Sequence, residues 1–115
     1  MIPINKFKRS NTMSNLTITK NQENDVLTIF AEGRIDTATS PQLDTEIKGS
    51  LGGIKKLVLD FSKVNYISSS GLRVLLNYHK EMSEIDGELI IRKPTEMVLE
   101  VFDVTGFADM LNIEQ

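Results

Sequence analysis

The chain has 115 residues, 40% of them hydrophobic, a formal net charge of −3 and no cysteine. That length suits one domain with a single core, and the missing cysteine excludes disulfides and thiolate chemistry. Without a block of like charge the composition argues against nucleic-acid binding. No apolar run approaches the roughly 20 residues of a membrane span, and no secretory-signal core stands near the start, so the expected location is cytoplasmic.

Residues 1–13 carry Lys6, Lys8 and Arg9, show no periodicity and end at a second methionine, Met13. They read as a disordered tail, an upstream start or an expression remnant, with a basic docking arm as the sharper alternative. Residues 14–115 read as the folded domain. Leu16 to Lys20 alternates apolar and polar, the polar cluster Asn21 to Asp25 follows, and Val26 to Ala31 is a second strand, which together predict an antiparallel hairpin. Gly33 to Asp36 is expected to leave the strand.

A first helix is predicted from Thr39 or Ser40. Pro41 suits its first position, Thr39 and Gln42 have capping-box spacing, Leu43, Ile47 and Leu51 share a face, and Gly52-Gly53 provides the stop. Leu57-Val58-Leu59, closed by Asp60 and Phe61, reads as a strand buried on both faces. A second helix is expected from about Ser70 to Ser83, with Leu72, Leu75, Leu76, His79 and Met82 as its stripe and Val74 and Tyr78 widening it. Leu89-Ile90-Ile91 is predicted to pair parallel with the strand at Leu57. Lys93-Pro94-Thr95 then breaks the chain and caps a third helix that turns Met97, Val98, Val101 and Phe102 inward and stops at Thr105-Gly106. Phe107, Met110, Leu111 and Ile113 read as a last turn and edge strand. The class these elements imply is α/β, a mixed, largely parallel sheet with packed helices.

Between the strand at Leu57 and the second helix stand Ser68, Ser69 and Ser70, directly before Gly71 and Leu72. Free N–H groups and the positive end of a helix dipole face those hydroxyls, a setting suited to a phosphate dianion. The plain reading of each serine is a helix cap or turn residue, with Ser70 as the N-cap. His79 is the only histidine. Ten residues along a helix is about 15 Å, so a serine–histidine hydrolase pair with Ser69 fails on distance. One histidine without cysteine predicts no metal site, and the absence of a glycine-rich phosphate loop or dinucleotide fingerprint predicts no cofactor.

The run Val58-Leu59-Asp60-Phe61 with Val64-Asn65-Tyr66-Ile67-Ser68-Ser69-Ser70-Gly71-Leu72-Arg73-Val74-Leu75-Leu76 resembles the signature of the STAS domain, specifically the bacterial anti-sigma-factor antagonists. The resemblance extends from about Leu16 to Ile113. It implies phosphorylation two positions before the glycine, at Ser69, with Ser68 and Ser70 as alternates. It also implies that Asp36 lies near that site, orienting the hydroxyl or a metal of an incoming nucleotide, against a plain reading as a turn residue. Asp60 is expected as a loop cap on the same edge of the sheet. Family members often have an acidic residue where Ser68 stands and a small one where Arg73 stands; Arg73 can pair with the phosphate, bind a partner's carboxylate or remain a solvated arginine. Members commonly continue into a further helix, whereas this sequence stops at Gln115.

The function implied is a non-enzymatic partner-switching module of bacterial transcription regulation. Unphosphorylated, it binds an anti-sigma factor that is also a serine kinase and frees the sigma factor. Phosphorylation of Ser69 switches it off, and a serine phosphatase restores it. The alternatives are a STAS subunit that is never phosphorylated, in a lipid-transport or signalling assembly, and a small-ligand sensor.

Overall fold

The computed structural model describes residues 8–11, as backbone, and 15–115. In chain order the elements are β1 (Lys8–Asn11), β2 (Leu16–Glu23), β3 (Val26–Ile35), α1 (Ser40–Lys48), β4 (Lys56–Ile67), α2 (Ser69–Glu84), β5 (Glu88–Arg92), α3 (Glu96–Thr105), a 3-10 turn (Phe107–Asp109) and β6 (Asn112–Glu114). The described strands form one sheet in the order β1 to β6. β1–β2 and β2–β3 are antiparallel; β3–β4, β4–β5 and β5–β6 are parallel. This is the mixed, largely parallel α/β arrangement expected, with Leu57 in register with Leu89.

Alternation along the strands decides where the core lies. Leu27, Ile29, Leu57, Leu59, Phe61, Leu89 and Ile91 point to one face and join Leu43 and Ile47 of α1, Leu72, Leu75 and Met82 of α2, and Val98 and Phe102 of α3 in a single buried cluster. Burying each such side chain stabilises the fold by about 1.5–3 kcal/mol before chain entropy is charged against it. Tyr78 adds a polar tie between the helices, its hydroxyl donating to Asp44 Oδ1 at 2.7 Å.

Several boundaries differ from expectation. Residues 8–11, expected within a tail, pair with β2, because an edge strand is held by backbone bonds and needs no apolar period of its own. The rest of residues 1–13 lies outside the described residues. Asn21, Gln22 and Glu23 continue β2, and the hairpin turns on Asn24 and Asp25 alone, with Asn24 at φ 58°. Gly33, Arg34 and Ile35 stay in β3 instead of leaving it. Gly33 has φ +119°, and a Cβ there would stand 2.0 Å from the Asn15 carbonyl oxygen, so only glycine permits this approach. β4 runs past Asp60 and Phe61 to Ile67, and register shifts against β3 interrupt the alternation that would have marked its length.

α1 ends at Lys48 with Gly49 as its cap, before Gly52-Gly53, leaving Leu51 beyond the helix. The capping box does not form. Thr39 is the N-cap residue but makes no side-chain cap bond, and Gln42 donates instead to the Leu16 carbonyl at 3.1 Å. In α3, Val98 and Phe102 face the core as expected, whereas Met97 is exposed, as is Met110 after the 3-10 turn.

Thr95 caps α3 as the sequence indicates, accepting from Val98 N at 3.4 Å while donating to the Val64 carbonyl at 2.8 Å. One hydroxyl therefore both starts the helix and ties it to β4. We predict that Thr95→Val lowers the unfolding free energy by about 1–2 kcal/mol in urea titration while Thr95→Ser stays near wild type; equal stability of all three proteins would contradict the double role.

Candidate functional site

The site is the turn from β4 into α2. Ile35 and Ile67, the last residues of β3 and β4, are in register. The next amide, Ser68 N, donates to the Ile35 carbonyl at 2.9 Å. Ser68 is extended, with φ −98° and ψ 176°, and α2 begins one residue later. The chain therefore passes from strand to helix with no connecting loop.

That abrupt start makes the three serines chemically different. Ser68, rather than Ser70, is the N-cap: its Oγ accepts from Gly71 N at 3.4 Å and its carbonyl accepts from Leu72 N at 2.9 Å. Ser70 Oγ lies 2.9 Å from Ser68 Oγ and 3.5 Å from Thr37 Oγ1. Ser69 is exposed, and its hydroxyl has no hydrogen-bond partner among the described residues. It stands at the positive end of a 16-residue helix with no acidic side chain in its first turn. The turn can thus hold a dianion on Ser69 without first breaking a bond.

Gly71 explains why a glycine follows the serines. A Cβ there would come within 2.7 Å of Ile35 Cγ2 and 2.8 Å of Ile67 Cγ1, and both isoleucines are at most 2% exposed. Alanine gains about 1 kcal/mol of helix propensity over glycine, but overpacking two fully enclosed side chains costs about 1–3 kcal/mol. The clash wins. Gly71→Ala is expected to destabilise the protein by about 1 kcal/mol net and to shift the Ser68, Ser69 and Ser70 amide resonances; a stabilised variant with unshifted resonances would refute the close approach.

Asp36 lies in the loop that reaches the serine turn through Thr37. Its Oδ1 accepts from Ala38 N at 3.0 Å and Thr39 N at 3.1 Å, and Arg34 Nε approaches Oδ2 at 3.4 Å. Desolvation opposes ionisation, yet the bonds from Thr39, Ala38 and Arg34 outweigh it and hold the carboxyl below its ordinary value. Asp36 therefore has the turn role, with its oxygens engaged in its own loop. Thr39, 1% exposed, donates to the Arg34 carbonyl at 2.8 Å and accepts from Asp36 N at 2.8 Å, which is why its hydroxyl is not available to cap α1. The Arg34 guanidinium also stacks 4.3 Å from the Tyr66 ring centroid.

Arg73 is exposed one helical turn after Ser69 and makes no ion pair among the described residues. His79 is half-buried on the same helix and has no side-chain hydrogen bond among them. No cluster of three or more metal-ligating side chains occurs among the described residues, and no described helix is long and apolar enough to cross a membrane.

Asp60 is not brought to the site. It stands seven residues before the end of β4, about 23 Å at about 3.3 Å per residue, on the face opposite the core cluster. Its Oδ1 accepts from Ser62 N at 3.0 Å and Ser62 Oγ at 2.7 Å; its Oδ2 accepts from Arg92 Nε at 3.1 Å and Nη2 at 3.0 Å. Desolvation raises its pKa, but the bonds from Ser62 and Arg92 prevail and lower it from the ordinary 3.8. A depressed carboxyl binds its proton less readily in the folded than in the unfolded state. Its contribution is therefore complete above about pH 4 and disappears as pH falls through the folded value. Wild type should lose more stability between pH 7 and about pH 3 than Asp60→Asn does, as read from urea midpoints; identical losses would assign the acid sensitivity elsewhere.

Sequence reasoning missed Thr37, Arg34 and Tyr66, and read Thr39 only as a helix cap. The run of serines before Gly71 marks the strand-to-helix turn in the sequence. Nothing local marks a hydroxyl contact between residues 33 positions apart.

Residues 17–115 match the family model of the STAS domain. The chain is 30% identical over 99 residues to BtrV of Bordetella bronchiseptica, covering 85% of each. It is 29% identical over 97 residues to the anti-sigma-B factor antagonist of Listeria monocytogenes, covering 83% of this chain and 84% of that one. Among solved structures, the anti-sigma factor antagonist SpoIIAA in its unphosphorylated form superposes with a TM-score of 0.68 at 17% identity, over 85% of this chain and 87% of that one. SpoIIAA in its phosphorylated form gives 0.67 at 18%, over 85% and 91%. The chain belongs to the STAS domain family.

Proposed function

We propose that this protein is an anti-sigma-factor antagonist, a binding module rather than an enzyme, switched by phosphorylation of Ser69. In the unphosphorylated form the serine turn and the loop at Asp36 dock against an anti-sigma factor that is also a serine kinase, and the sigma factor is released. The kinase phosphorylates Ser69, contact is lost, and a serine phosphatase resets the module.

The observation that carries this reading is the inequality of the three hydroxyls. Ser68 is spent as the cap and Ser70 lies between Ser68 and Thr37, while Ser69 is exposed and unbonded among the described residues. Two relatives support it: the Listeria protein is named for antagonism of an anti-sigma factor, and SpoIIAA is described in both phosphorylation states. Arg73, an anion's i+4 neighbour on the same helix, pairs with the phosphate, which withdraws its guanidinium from a partner's carboxylate.

Phosphorylation adds about −1.5 to −2 charges without requiring the fold to change, so its effect falls on whatever covers the turn. Against the cognate anti-sigma factor, Ser69→Asp is expected to weaken binding by about tenfold or more, about 1.4 kcal/mol, while Ser69→Ala keeps wild-type affinity. Mapping by mass spectrometry should place the phosphate on Ser69 alone. Equal affinities for the two variants, or phosphate on Ser68 or Ser70, would count against the assignment.

A further inference from the structure

β1 and β6 are the outer strands of the sheet, so each presents a backbone edge with no strand partner among the described residues. The β6 edge lies between two hollows. One, about 630 Å³, is lined by Leu99, Glu100, Asp103, Ala108 and Ile113 on the α3 side. The other, about 220 Å³, is lined by Glu88, Ile90, Asn112 and Glu114. A strand added beside β6 sends alternate side chains to opposite faces, one set into each hollow.

Charge specifies what that strand carries. From Pro94 to Gln115 the sequence holds Glu96, Glu100, Asp103, Asp109 and Glu114 and no lysine or arginine, so the remainder of the chain is net positive. None of these carboxylates forms an ion pair among the described residues. Apolar surface accompanies them: Val104 is 82% exposed and Met110 44%. The fitting occupant is an extended segment with adjacent basic residues. The opposite edge of the same sheet supplies one, since β1 has Lys8 and Arg9 side by side with no acidic residue from Met1 to Asn11.

We propose that the β6 edge receives β1 of a second copy, joining sheets head to tail with Lys8 and Arg9 set among the carboxylates of α3, β5 and β6. The contact is heterologous, so it propagates into open chains instead of closing as a symmetric pair. It shares no residue with the serine turn and does not depend on the switch.

Sedimentation velocity of the full chain tests this at about 20 mM and about 500 mM salt, where screening of exposed charges differs strongly. Two variants are needed, Lys8→Glu/Arg9→Glu, which spoils the arm, and Glu100→Gln/Asp103→Asn, which neutralises the groove without making it complementary to the reversed arm, each checked for an unchanged fold by circular dichroism. Wild type should associate in low salt with an average mass rising continuously up to about 1 mM protein, and high salt should weaken this about tenfold or more. Each variant alone should be monomeric. Their mixture should stop at one-to-one pairs, because only one intact arm and one intact groove remain. Ser69→Asp should associate like wild type. A wild type that stays monomeric in low salt, variants that associate as wild type does, or a mixture that remains monomeric would overturn the proposal.

Discussion

The structure depends on how closely the first turn of α2 approaches the ends of β3 and β4. Ile35 and Ile67 end in register, Ser68 N bonds the Ile35 carbonyl, and Gly71 lies where a methyl group would strike both isoleucines. The approach does two things at once. It seals the end of the core, because the two isoleucines are covered by helix backbone rather than by a side chain. It also fixes the helix dipole directly behind the serines, so the turn's electrostatics follow from a packing constraint.

That constraint explains what could and could not be read from the chain. The runs at Leu57 and Leu89 were legible because parallel strands buried on both faces need continuous apolar residues, which polar sequence cannot imitate. The far half of β4 was not. Ser62 and Lys63 are exposed together where the register shifts, so the alternation breaks inside a strand that hydrogen bonding keeps intact. Caps divided in the same way. Thr95 caps α3 because its proton goes to the Val64 carbonyl and its oxygen is left to accept from Val98 N, whereas the Thr39 oxygen accepts from Asp36 N in the β3–α1 loop and Gln42 is taken by β2. Spacing reports which residues can cap; tertiary competition decides which do.

At the site, the serine turn between strand and helix was legible from its pattern and Asp60 was misplaced. The misplacement follows from reading the strand as ending at Phe61: seven more residues of β4 carry the chain away from Asp60 before the turn forms. Asp60 is better understood with Arg92 and Ser62 as a satisfied polar cluster on the sheet face that the helices leave uncovered. The choice between Ser68 and Ser70 as cap was likewise beyond composition. It is set by the extended backbone of Ser68, which the last pairing of β4 with β3 imposes.

The formal charge of −3 conceals a division with structural consequences. Edge strands carrying charge resist pairing with their own kind, because like charges face each other along the whole contact. Basic β1 therefore repels a second β1, and β6, with Glu114 at one end and Glu88 bonded to Asn112 at the other, repels a second β6. Both symmetric edge pairings are disfavoured by the same residues that make the unlike pairing complementary. The charges that protect each edge also leave one geometry of sheet extension open, and it is the one that uses neither the serine turn nor the loop at Asp36.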